Sequence, residues 1–590
     1  MRGEPAVRPK YATLLEMLDA AAQSEHGLVF VDRKEQDHKV SFVRIREQAL
    51  SVAADLVRRG VNKGDRVALV LPTCPEFVEC FFGVLCAGAI PVPLYPPLRL
   101  GKLDEFHRKT TAMLKAVNAV MVVTDERIRR FLGVAVANSA PTLGCVTASS
   151  LGGPISDPVE VAAEDIAVIQ FSSGTTNDPK PVALTHVNLL SNLASLEQYI
   201  TADGSAYPVG VTWLPLYHDM GLIGKLLSVF YVPGKLVLLP PELFVAVPGA
   251  WLRAISRHRG TITAAPSFAF GLCLKRIRDE ELDGVDLSSW NICLNGAEAV
   301  SAEAQRRFSE RFARWGFRAS SFTPCYGMAE ASLAVTFKPV DTSFKTLSVD
   351  GDKLAANGIV EPGAKEITSV GRPLAGMGVE IRDDHGVALS PGQVGQIVVS
   401  GPSIMAGYFG RPDLTDRALQ DGWLYTGDRG FVHDGELYVC GRQKDIVIVR
   451  GANHAPEEFE AALDGLPGVR TGCAVAVGFI PAAGEDEALA MLVEKTSDAS
   501  PNLAQEIASL VQQQTGILPA HVELLAPGTL PRTSSGKLRR REALTQWQAG
   551  QLSPPKKVTA ARLLVHAANG ELLHARAALA RRSNNNRFFG

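Results

Sequence analysis

No stretch of this sequence stays apolar long enough to span a membrane. A crossing helix takes roughly 20 consecutive apolar residues, and the most apolar region, Gly221 to Leu252, is interrupted by Lys225, Lys235, Glu242 and several prolines and glycines. The N-terminal MRGEPAVRPKYATLLEMLDA has no continuous apolar centre, so no secretory signal is expected there. Cysteine is scattered: none of the nine forms a C-x-x-C pair or has a histidine partner at metal-site spacing. That excludes a zinc module and predicts reduced thiols, as in a cytoplasmic protein. Surplus charge is lacking too. With 60 Lys+Arg against 62 Asp+Glu the net charge is −2, and no nucleic acid is expected as partner. There is no internal repeat.

What is present is an ordinary globular composition, 46% hydrophobic and 21% charged, over 590 residues, more than one core usually organises. Up to about residue 440, β-like apolar runs alternate with amphipathic segments, the pattern of an α/β protein with parallel sheets. RVALVLP (66–72) reads as a strand, PEFVECFFGVLCAG (75–88) as a helix, and AIPVPLYPP (89–97) as a second strand. IAVIQFSSG (166–174) leads through a loop to VALTH and a helix from Asn188 to about Ile200, and VTWLPLYHDMG (211–221) reads as a strand with a polar tip. From Gly371, VGQIVVSG, GELYVCG and IVIVRG suggest a small β-rich subdomain. A compact α/β piece follows Arg442, with EEFEAALDG (457–465) helical and CAVAVGFI (473–480) a strand. Residues 551–590, with seven Lys/Arg against one Glu, read as a solvated and partly disordered tail.

FSSGTTNDPKPV (171–182) has the ingredients of a phosphate loop, but Pro179 stands where a Walker loop has its second glycine and Pro181 where it has its hydroxyl residue. Hydroxyls, backbone N–H groups and one ammonium can still wrap phosphate oxygens. Downstream come WLPLYHDMG (213–221), LNGAEAV (294–300), YGMAE (326–330), WLYTGDRG (423–430), GRQKDIVIVRG (441–451) and LPRTSSGKLRR (530–540). In order and spacing these motifs resemble the adenylate-forming superfamily of acyl-CoA ligases, nonribosomal adenylation domains and luciferases, over about residues 12–548. The resemblance makes 171–182 that superfamily's triphosphate loop.

The resemblance implies two parallel-sheet subdomains and a β-rich one in a large domain, 1–441, a mobile α/β lid, 442–548, and the tail, 549–590. The implied reaction joins a carboxylate to ATP, giving acyl-AMP and pyrophosphate, with Mg²⁺. Ser172, Ser173, Gly174, Thr175, Thr176 and Lys180 would hold the phosphates. Glu330 and Thr176 would hold Mg²⁺, and Tyr326 would stack on adenine, flanked by Gly327 and Met328. Gly296, Ala297 and Glu298 would wall that pocket, and Asp428 and Arg442 would fix the ribose. Lys537 would bind the developing charge, His218 would lie beside the carboxylate, and Met220, Phe268 and Ala297 would adjoin the substrate. Lys444 would be the hinge. Leu222, Ile223 and Phe270 are further candidates for an apolar tunnel. Asn177, Pro181 and Ala329 depart from the superfamily pattern, costing a donor at Pro181 and a hydroxyl at Ala329.

Within the superfamily the wording of AIPVPLYPP, WLPLYHDMGLIG, YGMAEAS and GANHAPEEFE resembles fatty acyl-AMP ligases. So does the long segment between Glu330 and Gly371, which looks like that branch's insertion at about residues 340–363. This implies a fatty acid substrate and transfer of the acyl group to an acyl carrier protein or a carrier domain of a polyketide or nonribosomal synthase. The alternatives are a fatty acyl-CoA ligase and a catalytically weak acyl- or nucleotide-binding relative.

Overall fold

The computed structural model describes residues 1–97, 100–172, 180–201, 208–340, 342–449, 452–481, 487–533, 536–556 and 558–587. A nine-stranded sheet lies at its centre. Its parallel part runs Phe322–Gly327, Ile292–Asn295, Ile262–Ala265, Val209–Thr212, Lys235–Leu238 and Gly27–Val31. Asp37–Ser41 closes one edge antiparallel, and Ala334–Phe337 with Arg372–Pro373 closes the other. The parallel strands are apolar on both faces because helices cover both sides. One side is an aromatic mass in which Trp251, Trp290, Phe270, Phe308 and Phe322 meet, all edge to face except the tilted pair Trp251–Phe270.

A second parallel sheet, Ile90–Pro93, Arg66–Val70, Met121–Thr124 and Gly144–Thr147, carries its own core around Phe106, Met113 and Leu132. Its first helix, Pro75–Cys86, starts with proline in the first turn, where the missing N–H costs nothing. The two parallel sheets match the expected α/β class. A β-rich unit follows, with Gly378–Arg382, Gly395–Ser400, Trp423–His433 and Glu436–Arg442 in antiparallel register. IVIVRG does not join it. Val447–Val449 pairs with Ala452–His454, and Val447 packs into a separate C-terminal core with Phe459, Met491 and Ile507. VTWLPLYHDMG is also only partly a strand: the strand ends at Thr212, and the rest crosses the sheet's end before a helix starts at Asp219.

The segment expected to be an insertion folds as a hairpin, Thr346–Val349 with Lys365–Thr368, around a short helix, Gly351–Asn357. Leu347, Val349, Leu354 and Ile367 pack on Phe431 and Tyr438 of the β-rich unit. Lys345 reaches Glu436 (2.6 Å), while Lys365 pairs with Glu458 of the C-terminal unit. The unit ends at Thr368, a few residues past the boundary read from spacing.

The described residues beyond 549 do not form a loose tail. The helix Ala560–Arg587 lies on the helix Glu126–Ser139 of the second parallel sheet. Gly133 and Gly570 make the crossing close: a Cβ on Gly133 would sit 2.4 Å from the Gly570 carbonyl oxygen. Arg129 pairs with Glu571 (2.9 Å), the His574 ring contacts the Arg129 carbonyl oxygen (2.9 Å), and Lys556 pairs with Asp104 (3.0 Å). No described helix is long and apolar enough to cross a membrane.

The helix His186–Ile200 behind the phosphate-loop strand begins with a capping box: the Thr185 hydroxyl accepts from the Asn188 N–H (3.2 Å), and the Asn188 side chain accepts from the Thr185 N–H (3.1 Å). Thr185→Ala is expected to cost about 1 kcal/mol of stability, read as a lower midpoint in chemical denaturation.

Candidate active site

Four parallel strands deliver residues to the same place. At the C-terminal ends of open parallel sheets the loops diverge and leave a crevice. There Val209–Thr212 leads to His218 and Asp219, Ile262–Ala265 to Phe268, Ile292–Asn295 to Ala297 and Glu298, and Phe322–Gly327 to Glu330. The β-rich unit adds Asp428 and Arg442 from paired strands, and the C-terminal unit adds Lys537. The cleft has a volume of about 2620 Å³, far more than one ligand fills, so it contains several subsites.

At its centre is a carboxylate held from two sides. The Tyr326 hydroxyl donates to Asp428 Oδ2 (2.7 Å) and Arg442 Nε donates to Oδ1 (3.2 Å). Asp428 also receives its position from the chain: its N–H donates to Thr426 Oγ1 (3.1 Å). Burial and the adjacent Asp428 push the Tyr326 phenol well up, so it stays a donor, while Asp428 stabilises the Arg442 charge.

Lys537 faces this group. Its backbone pairs with Thr533: the Thr533 N–H donates to the Lys537 carbonyl (2.7 Å) and the Lys537 N–H to Thr533 Oγ1 (3.0 Å). Burial and the neighbouring Arg442 lower its pKa, while Asp219, Glu298 and Asp428 oppose them. Asp219 is paired with His218 (Nδ1 to Oδ1, 2.5 Å). Burial raises the Asp219 carboxyl, but His218 and Lys537 outweigh it and hold the group below its ordinary value. Glu298 accepts from the Phe268 N–H (2.8 Å), and burial raises its pKa. The residue before it, Ala297, has φ of +72°, a left-handed conformation that a non-glycine residue holds only when its surroundings fix it. Gly296 does not line the cleft. It packs on Cys325, where a Cβ would come 2.7 Å from Sγ.

A second group lies around Glu330. Lys180 Nζ donates to the Tyr408 hydroxyl (3.3 Å) and sits 4.7 Å from that ring's centre, and the Tyr408 hydroxyl donates to Glu330 Oε1 (3.0 Å). Burial lowers the Lys180 pKa; Glu330 opposes this, while Lys444, Arg442 and Arg411 push in the same direction. Four cations around one carboxylate make a region short of negative charge, the electrostatics a polyphosphate needs. Tyr408 was not legible as a site residue: its only sequence signal is an aromatic between turn glycines, Gly407 and Gly410. Pro181 opens the strand Pro181–Thr185, a position where a missing N–H is tolerated, and its carbonyl accepts from the Phe409 N–H (2.7 Å).

Of the other expected residues, Ser172, Met220, Phe268, Gly327 and Met328 line the cleft. The Ser172 N–H donates to the Lys180 carbonyl oxygen (3.0 Å). Ser173, Gly174, Thr175, Thr176 and Asn177 lie outside the described residues. Leu222, Ile223 and Phe270, read as tunnel candidates, are fully buried core. Among the described residues no group of three or more His, Cys, Asp and Glu could hold a metal by protein ligands alone, and all nine cysteines are free thiols.

Comparison with known proteins agrees with this geometry. The family model described as AMP-binding enzyme matches residues 18–409. A Caulobacter vibrioides protein named putative acyl-CoA synthetase is 33% identical, over 92% of this chain and 96% of its own. A medium-chain-fatty-acid–[acyl-carrier-protein] ligase, JamA of Moorena producens, is 29% identical over 92% and 96%. Among solved structures, a fatty acyl-adenylate ligase from work on the E. coli and L. pneumophila enzymes superposes with a TM-score of 0.86 and 34% identity, covering 92% of this chain and 99% of its own. With its strand-end loops, its Asp428 clamp and its lysine in the cleft, the chain belongs to the AMP-binding enzyme family.

Proposed function

We propose that the protein activates a medium- or long-chain fatty acid with ATP, forming the acyl-adenylate and releasing pyrophosphate. The acyl group then passes to the phosphopantetheine arm of an acyl carrier protein, or of a carrier domain in a polyketide or nonribosomal synthase. The observation that carries this reading is the convergence on one point of Lys537 from the C-terminal unit and Asp219, Glu298, Asp428 and Arg442 from the rest. In the division proposed here, residues 1–441 bind both substrates and 442–548 act as the lid.

The physical problem is repulsion, since a carboxylate must approach an α-phosphate that is itself negative. Catalysis is therefore mainly charge neutralisation and in-line placement. Lys180, Arg411, Arg442 and Lys444 supply positive potential at the polyphosphate end, with Thr175 and Thr176 proposed to add hydroxyl contacts. Asp428 and Arg442 take the ribose hydroxyls as acceptor and donor. The Tyr326 hydroxyl is committed to Asp428, which fixes its ring for adenine between the backbone of Gly327–Met328 and the wall at Ala297. Lys537 Nζ neutralises charge where the bond forms, and His218, oriented by Asp219, lies beside the incoming carboxylate. Glu330 fits Mg²⁺, a hard cation that takes one or two carboxylates together with substrate phosphates, with Thr176 proposed as its second ligand. A Mg²⁺ held there would supply positive charge against the phosphates.

Support for a carrier protein over coenzyme A as acceptor comes from the hairpin insertion. It packs on the β-rich unit and pairs with Glu458 in the lid, so it braces the joint that a rotating lid must work. The name carried by the Caulobacter relative keeps the CoA ligase as the second reading. Incubation with ATP, dodecanoate and CoA decides between them: acyl-adenylate and pyrophosphate without acyl-CoA is expected, and abundant acyl-CoA would favour the second.

Lys537→Ala is expected to lower adenylation at least about 100-fold while ATP affinity, measured by calorimetry, stays near wild type. Near-normal pyrophosphate release would remove Lys537 from the chemistry. Tyr408→Phe, which cuts the link between Lys180 and Glu330, is expected to raise the KM for ATP about tenfold with fatty acid affinity unchanged.

A further inference from the structure

Lys225 is a buried lysine that meets no countercharge among the described residues. It is 3% exposed, and Nζ has no hydrogen-bond partner among the described residues. Its nearest titratable neighbours are the thiols of Cys293 and Cys325, on adjacent parallel strands. Burial pushes both thiols up, Cys325 to about 12, so they stay neutral. Glu197 lines the same region but is committed to Lys10. Burial lowers the Lys225 pKa to about 7. An unpaired buried cation is among the costlier features a fold can carry, and methionine would fill the space without that cost.

Two observations tie the residue to the site. With Met220 and Gly224 it lines the cleft, and with Leu196, Ile200 and Gly224 it lines an adjoining cavity of about 30 Å³. It also sits within the π-helical turn Leu222–Leu227, a rare element that is frequent at functional sites. The helical run starts at the His218 cap, so Lys225 lies about 10 Å along its axis from the end where the acid reacts.

We propose that Lys225 determines acyl-chain specificity: its ammonium receives an acceptor oxygen carried on the chain, and the preferred substrates are fatty acids bearing a hydroxyl, keto or second carboxylate group. This rests on the adenylation reading above. Selectivity follows because a site built around a polar group rejects an analogue that leaves that group unpaired.

The test compares wild type with Lys225→Met on dodecanoate, its hydroxy and keto derivatives, and dodecanedioate. Wild type is expected to favour an oxygenated acid by about tenfold or more in kcat/KM, and Lys225→Met to lose that preference while gaining activity on dodecanoate. Preference for the dicarboxylate identifies an anion as the ligand; preference for the hydroxy or keto acid identifies a neutral acceptor. Equal use of all four acids by wild type, or the same preference in both proteins, overturns the inference. Calorimetric binding of the acids without nucleotide reads the chain contact separately. An affinity difference that depends on Lys225 upholds the inference even if no acid is adenylated, which would instead overturn the adenylation reading; no difference overturns the inference. Folding of the variant is checked by melting. The lysine's pKa is lowered on folding from 10.5 to about 7, so its penalty is full below pH 7 and fades as pH rises towards 10.5. Lys225→Met is therefore expected to melt higher than wild type at low pH, with the gap closing as pH rises.

Discussion

Carboxylates gathered around a lysine taken out of water offset the cost of burying its charge, and Lys537 is met by three from separate parts of the chain: Asp219 at the start of a helix, Glu298 in a strand-end loop, and Asp428 in the β-rich unit. Asp219 and Glu298 converge because their strands end side by side in one sheet, and Lys537 joins them because the C-terminal unit is seated on the rest. The same constraint explains the commitments behind each carboxylate. Asp219 is held by His218, Glu298 by the Phe268 N–H, and Asp428 by Tyr326 and Arg442. Each is oriented before any ligand arrives, the kind of preorganisation that makes electrostatic catalysis effective.

Glu458 plays a comparable part at the joint between the units. It contacts His454 (2.7 Å) within the C-terminal unit and Lys365 on the insertion hairpin. The ion pairs hold its pKa down even though burial raises it. One carboxylate therefore couples the hairpin's position to that of the C-terminal unit, and the hairpin in turn is fixed to the β-rich unit by apolar packing and by Lys345–Glu436.

Much of this was legible in the sequence because the site is built from strand-end loops whose residues are adjacent in the chain. YGMAE, WLYTGDRG and GRQKD keep their spacing wherever the strands lie, and the structure brings Tyr326, Asp428 and Arg442 into one hydrogen-bonded group. What was missed depends on contacts distant in sequence. Tyr408 matters only because Lys180 and Glu330 come to it from either side. Phe270, Leu222 and Ile223 look the same as tunnel residues in a hydropathy pattern, and only packing assigns them to the core. WLPLYH is apolar like a strand, yet it crosses the sheet's end. The tail read as solvated because its docking relies on two glycines and a few ion pairs, which carry little sequence signal.

That docked helix changes what the C-terminal unit can do. The chain enters the unit beside Lys444 and, through Lys556, Glu571 and His574, returns to the helices of the second parallel sheet. A domain on a single tether swings like a flag on a cord, whereas one anchored at both ends turns like a door, about an axis set by its two attachments. Any movement that carries Lys537 out of the cleft must follow that axis or peel the helix away, so this last helix shares in setting the path open to the C-terminal unit.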